Sequence, residues 1–196
     1  GGILQNRFER AWLLSAVVGY LIMQQKDVCL TYDSSQPVRR KQLTVHQHDH
    51  DVTRWALTQV SQQRKPNPEP LSQQLRKLAE VYRRQSSWVI FTDGVDHFES
   101  LYAALKRVSQ KHELLIVLFP DLFYVSQQLH EQVKRFRFRY LCHTAGSTRP
   151  VVGDGAHLTQ KWFHFWHQLK LSQVQVRTCL PGDNLFVFAR KLLTRT

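Results

Sequence analysis

Residues 88–119 constrain the fold more strongly than any other part of the sequence. The stretch begins and ends with nearly continuous apolar runs, at 88–91 and 114–119, and such runs are typical of strands buried on both faces of a parallel sheet. Between them, apolar residues recur at spacings of three and four, which predicts an amphipathic helix. These residues are Phe98, Leu101, Tyr102, Leu105 and Val108. The order strand, helix, strand predicts a βαβ unit with two parallel strands.

Asp93 directly follows the first of these two predicted strands. Ligands of open α/β sheets bind at the carboxyl ends of the strands, so this carboxylate is a candidate ligand for Mg²⁺ or Mn²⁺, directly or through water. A second interpretation is that Asp93 accepts hydrogen bonds from backbone N–H groups in the turn before the next helix. The sequence otherwise predicts no cofactor.

The composition is that of one soluble globular domain spanning residues 1–196, with 42% hydrophobic and 21% charged residues. Lys and Arg number 27 against 15 Asp and Glu, and the net charge is +12. This excess favours an anionic partner, which could be nucleic acid, an acidic protein or a membrane surface. The alternative is a basic surface without a specific partner.

Three cysteines, Cys29, Cys142 and Cys179, lie far apart in strand-like runs without a CxxC spacing. They are expected to be reduced, buried thiols of a cytoplasmic protein. No apolar run reaches the roughly 20 residues that a membrane-spanning helix needs, and no signal-peptide pattern is present. Because the chain opens with Gly1 and Gly2 rather than Met, we expect it to be a fragment truncated at its amino terminus.

Periodicity predicts the remaining elements in chain order. Helices are expected at 3–25, after 51, at 71–82, 123–133 and 157–171, and after 183; strands are expected at 28–32, 38–45, 135–140 and 174–178. Residues 146–155 are predicted to be a loop or hairpin turn, and Asp183 is predicted to cap the last helix.

The histidine-rich stretch 46–51 has two interpretations. Alternating His and Asp are typical of a metal-binding tract. The stretch also fits a polar loop before a helix whose N-terminus is capped by Asp49 or Asp51. No cysteine lies nearby in sequence to complete a recognisable zinc site.

Basic residues concentrate in two places. One is the triplet Arg39, Arg40 and Lys41; the other is the alternating segment that carries Arg135, Arg137 and Arg139. In a regular strand, the aromatic residues between these last arginines would occupy the opposite face. We therefore interpret the arginine face as one that points to solvent. The alternative is that the aromatic and basic residues bind single-stranded nucleic acid by stacking.

Residues 90–94, Ile-Phe-Thr-Asp-Gly, resemble the corresponding segment of von Willebrand factor type A domains. The whole chain resembles, more closely, the bacterial domain-of-unknown-function family number fifty-eight, a variant of that fold. The similar segments are 7–21, 25–30, 113–121, 140–152 and 174–193. The resemblance implies a three-layer α/β/α, Rossmann-like fold with a mostly parallel sheet and a small hairpin insert near 135–152.

In type A domains a divalent ion is held by a DxSxS motif, a Thr and an Asp. Only the Asp has a counterpart here, Asp93. The loop expected to supply Thr instead contains Asn67 and Glu69, which are the possible substitutes, and the first strand would lie before Gly1.

The resemblance further implies a non-enzymatic adaptor for a MoxR-type AAA+ ATPase in the assembly or activation of protein complexes. The expected partner-binding residues are Asp93, Gly94, Asp96, Asn67 and Glu69, assisted by the basic patches. The alternative is a nucleic-acid-binding factor, including a metal-dependent nuclease. No nucleophile, phosphate-loop or metalloprotease motif supports catalysis.

Overall fold

The structure is a computed structural model that describes residues 7–32, 44–46, 48–61, 69–92, 98–119, 137–144, 147–154, 164–165, 167–169, 171–172, 174–180 and 182–194. It is a mixed α/β fold with a small parallel three-stranded sheet and an antiparallel hairpin. Two compact units are formed, one by residues 1–66 with 179–196 and the other by residues 67–178. The expectation of a single domain stays a prediction.

The described elements follow the chain in an irregular alternation of helices and strands. They are α1 (Arg7–Gln24), β1 (Cys29–Thr31), β2 (Thr44–His46), α2 (Asp49–Ser61), α3 (Leu71–Val81), β3 (Ser87–Thr92), α4 (Phe98–Ser109), β4 (Glu113–Leu118), β5 (Arg137–Thr144), β6 (Ser147–Asp154), β7 (Gln175–Thr178) and α5 (Leu185–Leu193). Residues 164–165, 167–169 and 171 are also helical.

In the first unit, α1 packs against both α2 and α5. The side chains of Leu14 and Val52 are fully buried, as the broad apolar stripes of these helices predict. Gly19 lies so close to Val52 that a Cβ atom at residue 19 would clash with the valine side chain. Strands β1 and β2 form a separate antiparallel pair, in which Cys29 is opposite His46.

The second unit contains the parallel sheet, with strand order β3-β4-β7. The βαβ prediction is confirmed, since β3 and β4 are parallel and α4 lies between them in sequence. Strand β4 has a partner on each side, and four of its six residues are buried. The expectation that β3 is buried on both faces is wrong, because residues 88–92 are only half-buried at the end of the described sheet.

The core of this unit is built from the faces of α3, α4 and the sheet, together with the helical residues near 165. Phe165 and Leu169 are almost completely buried. His164 and His167, three positions apart on the same helical stretch, are both exposed.

Strands β5 and β6 form the antiparallel hairpin, with Arg137 opposite Asp154 and Thr144 opposite Ser147. A hairpin near 135–152 is present, as the resemblance implies, whereas the loop or hairpin turn predicted across 146–155 is wrong for 147–154, a segment that forms a strand. Its Gly, Ser and Pro content indicated a turn, but pairing with β5 along eight residues holds this segment as a strand. The helix predicted at 123–133 lies outside the described residues, as do 157–163.

The N-terminus of α5 corrects another prediction. Asn184, rather than Asp183, is the cap residue, and its side chain accepts hydrogen bonds from the backbone N–H groups of Phe186 and Val187. Asp183 instead accepts a bond of 2.7 Å from the backbone N–H of Leu180. The two adjacent side chains both suit a cap, so composition alone could not distinguish them.

Candidate functional site at the carboxyl edge of the parallel sheet

The three parallel strands end at the same level. Thr92 is in register with Leu118, which is in register with Thr178. One further hydrogen bond of 2.9 Å, from the N–H of Phe119 to the carbonyl oxygen of Thr92, extends the pairing of β3 and β4 past the end of β4. Since the carboxyl ends of parallel strands are the usual ligand-binding edge, this edge is the candidate site.

An aromatic pair lies directly beneath this edge. The rings of Phe91 and Phe119 are 6.4 Å apart between centroids, and Phe119 is buried. Asp93, Gly94 and Asp96 follow β3 and lie outside the described residues. Their position in the chain directly after Thr92 is what associates them with this edge.

Glu69 is the one predicted partner-binding residue whose side chain is described. Its carboxylate lies 2.5 Å from the Nζ atom of Lys77, and the glutamate side chain is only 13% exposed. Its carbonyl oxygen also accepts a bond of 2.7 Å from the side chain of Gln74. Glu69 thus anchors the start of α3, and contact with a partner or a metal would compete with Lys77. Asn67 lies outside the described residues.

The predicted basic patches are only partly described. Arg39, Arg40, Lys41 and Arg135 lie outside the described residues. Arg137 and Arg139 occupy alternate positions of β5, where their backbone partners are Asp154 and Val152. Strand geometry is therefore confirmed for these two arginines.

The histidine-rich stretch is divided between two elements. His46 belongs to β2, where it is buried and its Nε2 atom lies 2.7 Å from the hydroxyl of Thr31. Burial lowers the pKa of His46, and the charge of Asp51 opposes this effect. His48 precedes α2 and His50 lies in its first turn, and their rings stack at 5.4 Å between centroids.

The helix interpretation of this stretch is confirmed. The side chain of Asp51 accepts a hydrogen bond of 3.2 Å from the backbone N–H of His48, and that of Asp49 accepts one of 2.7 Å from His50. An acidic residue that bonds back to the residue before the helix is one half of a capping box. Within the described parts of the chain, no group of three or more His, Cys, Asp or Glu residues is placed to hold a metal ion.

Sequence reasoning missed a polar cluster at the opposite edge of the sheet. The hydroxyl of Ser86 lies 3.1 Å from Nδ1 of His112 and accepts a bond of 2.8 Å from the indole N–H of Trp88. The rings of Trp88 and His112 lie 4.5 Å apart between centroids. The available signal was a polar residue two positions before each apolar run, Ser86 before the first and His112 before the second.

His112 is buried, with only 3% of its surface exposed, and its Nε2 atom has no hydrogen-bond partner among the described residues. Burial lowers the pKa of this histidine, and the positive charge of Lys111 lowers it further. A serine and a histidine in contact are one component of a nucleophilic site. Here Nδ1 faces the serine and Nε2 is orphaned, so no carboxylate orients the ring, and the arrangement favours a structural role.

A second buried group, Arg10, was also missed. Its guanidinium donates hydrogen bonds to the carbonyl oxygens of Leu180 and Asp183, while Cys179 lies 3.6 Å away. Burial raises the pKa of the Cys179 thiol, although Arg10 opposes this shift. Cys29 and Cys179 are buried and free, as predicted, and the side chain of Cys142 is not described.

A shallow groove of about 730 Å³ lies beside α1 and α2 in the first unit. Tyr20 contributes one wall, and the other residues of its lining come from α2. These are Asp49, His50, Thr53, Arg54, Leu57 and Thr58. Their mixed charges give the groove no clear preference for an anion or a cation.

Comparison with known proteins adds no assignment. No family model, no curated protein and no solved structure matches this chain. The resemblance to von Willebrand factor type A-like domains therefore stays a hypothesis that depends on the residues quoted above. None of the helices in the described ranges is long and apolar enough to cross a membrane.

Proposed function

We propose that the chain is a non-enzymatic protein-interaction module that binds an acidic partner at the carboxyl edge of its parallel sheet. The observation that carries the proposal is the common end of three parallel strands immediately before the Asp93 segment. The resemblance to family fifty-eight suggests a MoxR-type AAA+ ATPase as the partner. In this proposal the chain acts as an adaptor during the assembly or activation of other complexes.

Charge supports an acidic partner. A net charge of +12 attracts an anionic surface over distances comparable with the Debye length, which is about 10 Å at moderate salt. Such attraction mainly accelerates association and selects partners, and contacts at the edge of the sheet would determine how long the complex lasts. Asp93, Gly94 and Asp96 are the proposed contact residues. With Mg²⁺ or Mn²⁺ bound, the two carboxylates would be bridged to an acidic group of the partner; without a metal, they would contact its neutral or basic groups while the basic patches attract the acidic surface.

Binding to a purified MoxR-type ATPase, measured by surface plasmon resonance at low and high salt, tests this proposal. Asp93→Ala is expected to weaken binding about tenfold or more, and added salt is expected to slow association. Glu80→Ala provides a matched control, because Glu80 is an exposed carboxylate in α3. Binding that responds neither to Asp93→Ala nor to salt would overturn the proposal.

A second candidate function is nucleic-acid binding, favoured by the net charge and by the arginines at alternate positions of β5. Phosphate contacts predict an affinity that falls steeply as salt increases. A gel-shift titration with single-stranded DNA at low salt tests it, and Arg137→Glu with Arg139→Glu should remove binding. Absence of a shift at low salt would exclude this candidate.

A further inference from the structure

We propose that the outer edge of β3 binds an extended, acidic segment of another protein as an additional strand of the sheet. This edge runs alongside β3 and is distinct from the carboxyl edge to which the proposed function assigns its partner. The inference therefore stands without that function. It depends on the composition of β3, the direction of its backbone groups, its exposure and the charges beside it.

The two outer strands of the described sheet differ in how they are protected. Strand β7 alternates buried Val176 with exposed Gln175 and Arg177, and a charged outer strand resists pairing with other chains. Strand β3 has the sequence Ser-Trp-Val-Ile-Phe-Thr, without a charge or a proline. Natural outer strands usually carry such protection, so its absence in β3 points to a surface that pairs.

The backbone of β3 offers regularly spaced hydrogen-bonding groups on its outer side. The carbonyl oxygens of Ser86 and Thr92 bond to Glu113 and Phe119, which shows that even-numbered residues direct these groups towards β4. Along a strand, successive residues direct their N–H and C=O groups to opposite sides. Ser87, Val89 and Phe91 therefore direct theirs to the outer edge, where no described strand pairs with β3.

Exposure is consistent with a missing neighbour. Both β3 and β4 are apolar runs typical of central strands. Ile116, in the middle of β4, is fully buried, whereas its partner Ile90 in β3 is only half-buried. An additional strand on β3 would cover this apolar surface and give the strand the central position for which its composition is suited.

The charges near β3 indicate which kind of segment would bind along its outer edge. Arg83 and Arg84 immediately precede β3 and are exposed. Neither makes an ion pair with another residue that the structure describes. A strand laid along β3 would bring one of its ends near these two cations. An extended segment with acidic residues at that end is therefore the complementary partner, and it would be held mainly by main-chain hydrogen bonds.

The experiment uses a fluorescent synthetic peptide of about six alternating valine and threonine residues, a typical strand length. One version carries two glutamates at its N-terminal end, and a second carries them at its C-terminal end. A third version carries lysines in place of the glutamates. Fluorescence anisotropy should show binding of a glutamate version and at least about tenfold weaker binding of the lysine version. Equal binding of all three versions would overturn the acidic specificity.

Val89→Pro removes an outward N–H group without removing a hydrogen bond between β3 and β4, and outer strands tolerate proline at such positions. It is expected to weaken peptide binding about tenfold, whereas Val89→Thr, which keeps the N–H, should leave binding within about twofold. Circular dichroism checks that both variants are folded. Full binding by a folded Val89→Pro protein would overturn strand addition.

Arg84→Glu keeps the strand intact and tests the charge separately. It should weaken binding of the glutamate peptide several-fold at low salt, while Arg177→Glu, two strands away in β7, should not. Sedimentation of the protein alone gives one more outcome. A dimer that Val89→Pro dissociates would show that a second copy occupies this edge, and it would overturn the proposal of a separate partner.

Discussion

The guanidinium of Arg10 donates a hydrogen bond of 2.8 Å to the carbonyl oxygen of Leu180, 170 positions away in the sequence. The same nitrogen donates to the carbonyl oxygen of Asp183 at 3.1 Å. A helix near the beginning of the chain is thereby attached to the segment that leads into the last helix. Arg10 is only 8% exposed, so these bonds are shielded from water.

Arg10→Ala is expected to lower the free energy of unfolding by about 2 to 3 kcal/mol, because a charged donor and its packing are lost while two carbonyl oxygens lose their partner. Urea denaturation measures the change. Arg54→Ala serves as the control, since Arg54 is exposed and its removal should change stability by about 0.5 kcal/mol or less. Equal effects of the two substitutions would contradict the role of Arg10.

Gly19→Ala is expected to destabilise the protein, although alanine favours a helix over glycine by about 1 kcal/mol. The added Cβ would collide with Val52 where α1 and α2 meet, and such overpacking costs about 1 to 3 kcal/mol or more. Thermal unfolding followed by circular dichroism measures the effect.

Two further variants isolate that collision. Val52→Ala on the Gly19→Ala background should recover part of the lost stability, giving a positive coupling in a double-mutant cycle. Gly182→Ala should be tolerated, because no atom lies within 4 Å of the Cβ it would add. Additive effects of the substitutions at 19 and 52 would show that these residues do not compete for space.

Stability is expected to decrease as pH falls below about 6.5, the ordinary pKa of histidine. Burial lowers the folded-state pKa of His46 and of His112, so below this pH the unfolded chain binds more protons than the folded one. The loss continues as pH falls through the lowered pKa values. Urea denaturation at about pH 7.5 and about pH 5.5 measures it.

His112→Gln is expected to reduce this pH dependence, because it removes one of the two buried imidazoles that cause it. A wild-type protein equally stable at the two pH values would contradict the assignment. Equal stability at the two pH values would mean that folding does not lower the pKa of either histidine.

Asn184→Ala is expected to cost about 1 kcal/mol, because two backbone N–H groups of α5 lose their acceptor. Asn184→Asp should retain most of the stability, since aspartate accepts the same bonds and also suits the positive end of the helix. Chemical denaturation of the two variants makes the comparison. A larger loss in Asn184→Asp than in Asn184→Ala would contradict the assignment of the cap.

Long periodic segments were the part of the fold that the sequence could predict. The apolar runs around α4 identified β3 and β4 and their parallel direction, because few other structures bury two such runs joined by one helix. Strand β6 was implied only by the resemblance to a family with a hairpin near 135–152, since its Gly, Ser and Pro residues indicate a turn when considered locally. Only its pairing with β5, a tertiary effect, makes it a strand.

The sequence predicted where the candidate site lies, but it did not predict which contacts the residues of the site make. Asp93 could be assigned to the end of a strand because the apolar run ends at residue 91, and β3 does end one residue later, at Thr92. The ion pair of Glu69 with Lys77 could not be foreseen, since Lys65 and Arg76 also lie within ten positions of that glutamate. Buried polar contacts such as Ser86 with His112 depend on two loops meeting in space.

The pairing of β4 with β7 places Leu115 beside Gln175, roughly 60 positions later in the chain. During synthesis on the ribosome, β4 therefore emerges roughly 60 residues before its second neighbour. Closing so long a loop is slow compared with forming a helix, which makes this step a strong candidate for the rate-limiting event of folding. Until it occurs, β4, the most apolar of the described strands, has one side uncovered, and a nascent chain would benefit from a chaperone at that moment.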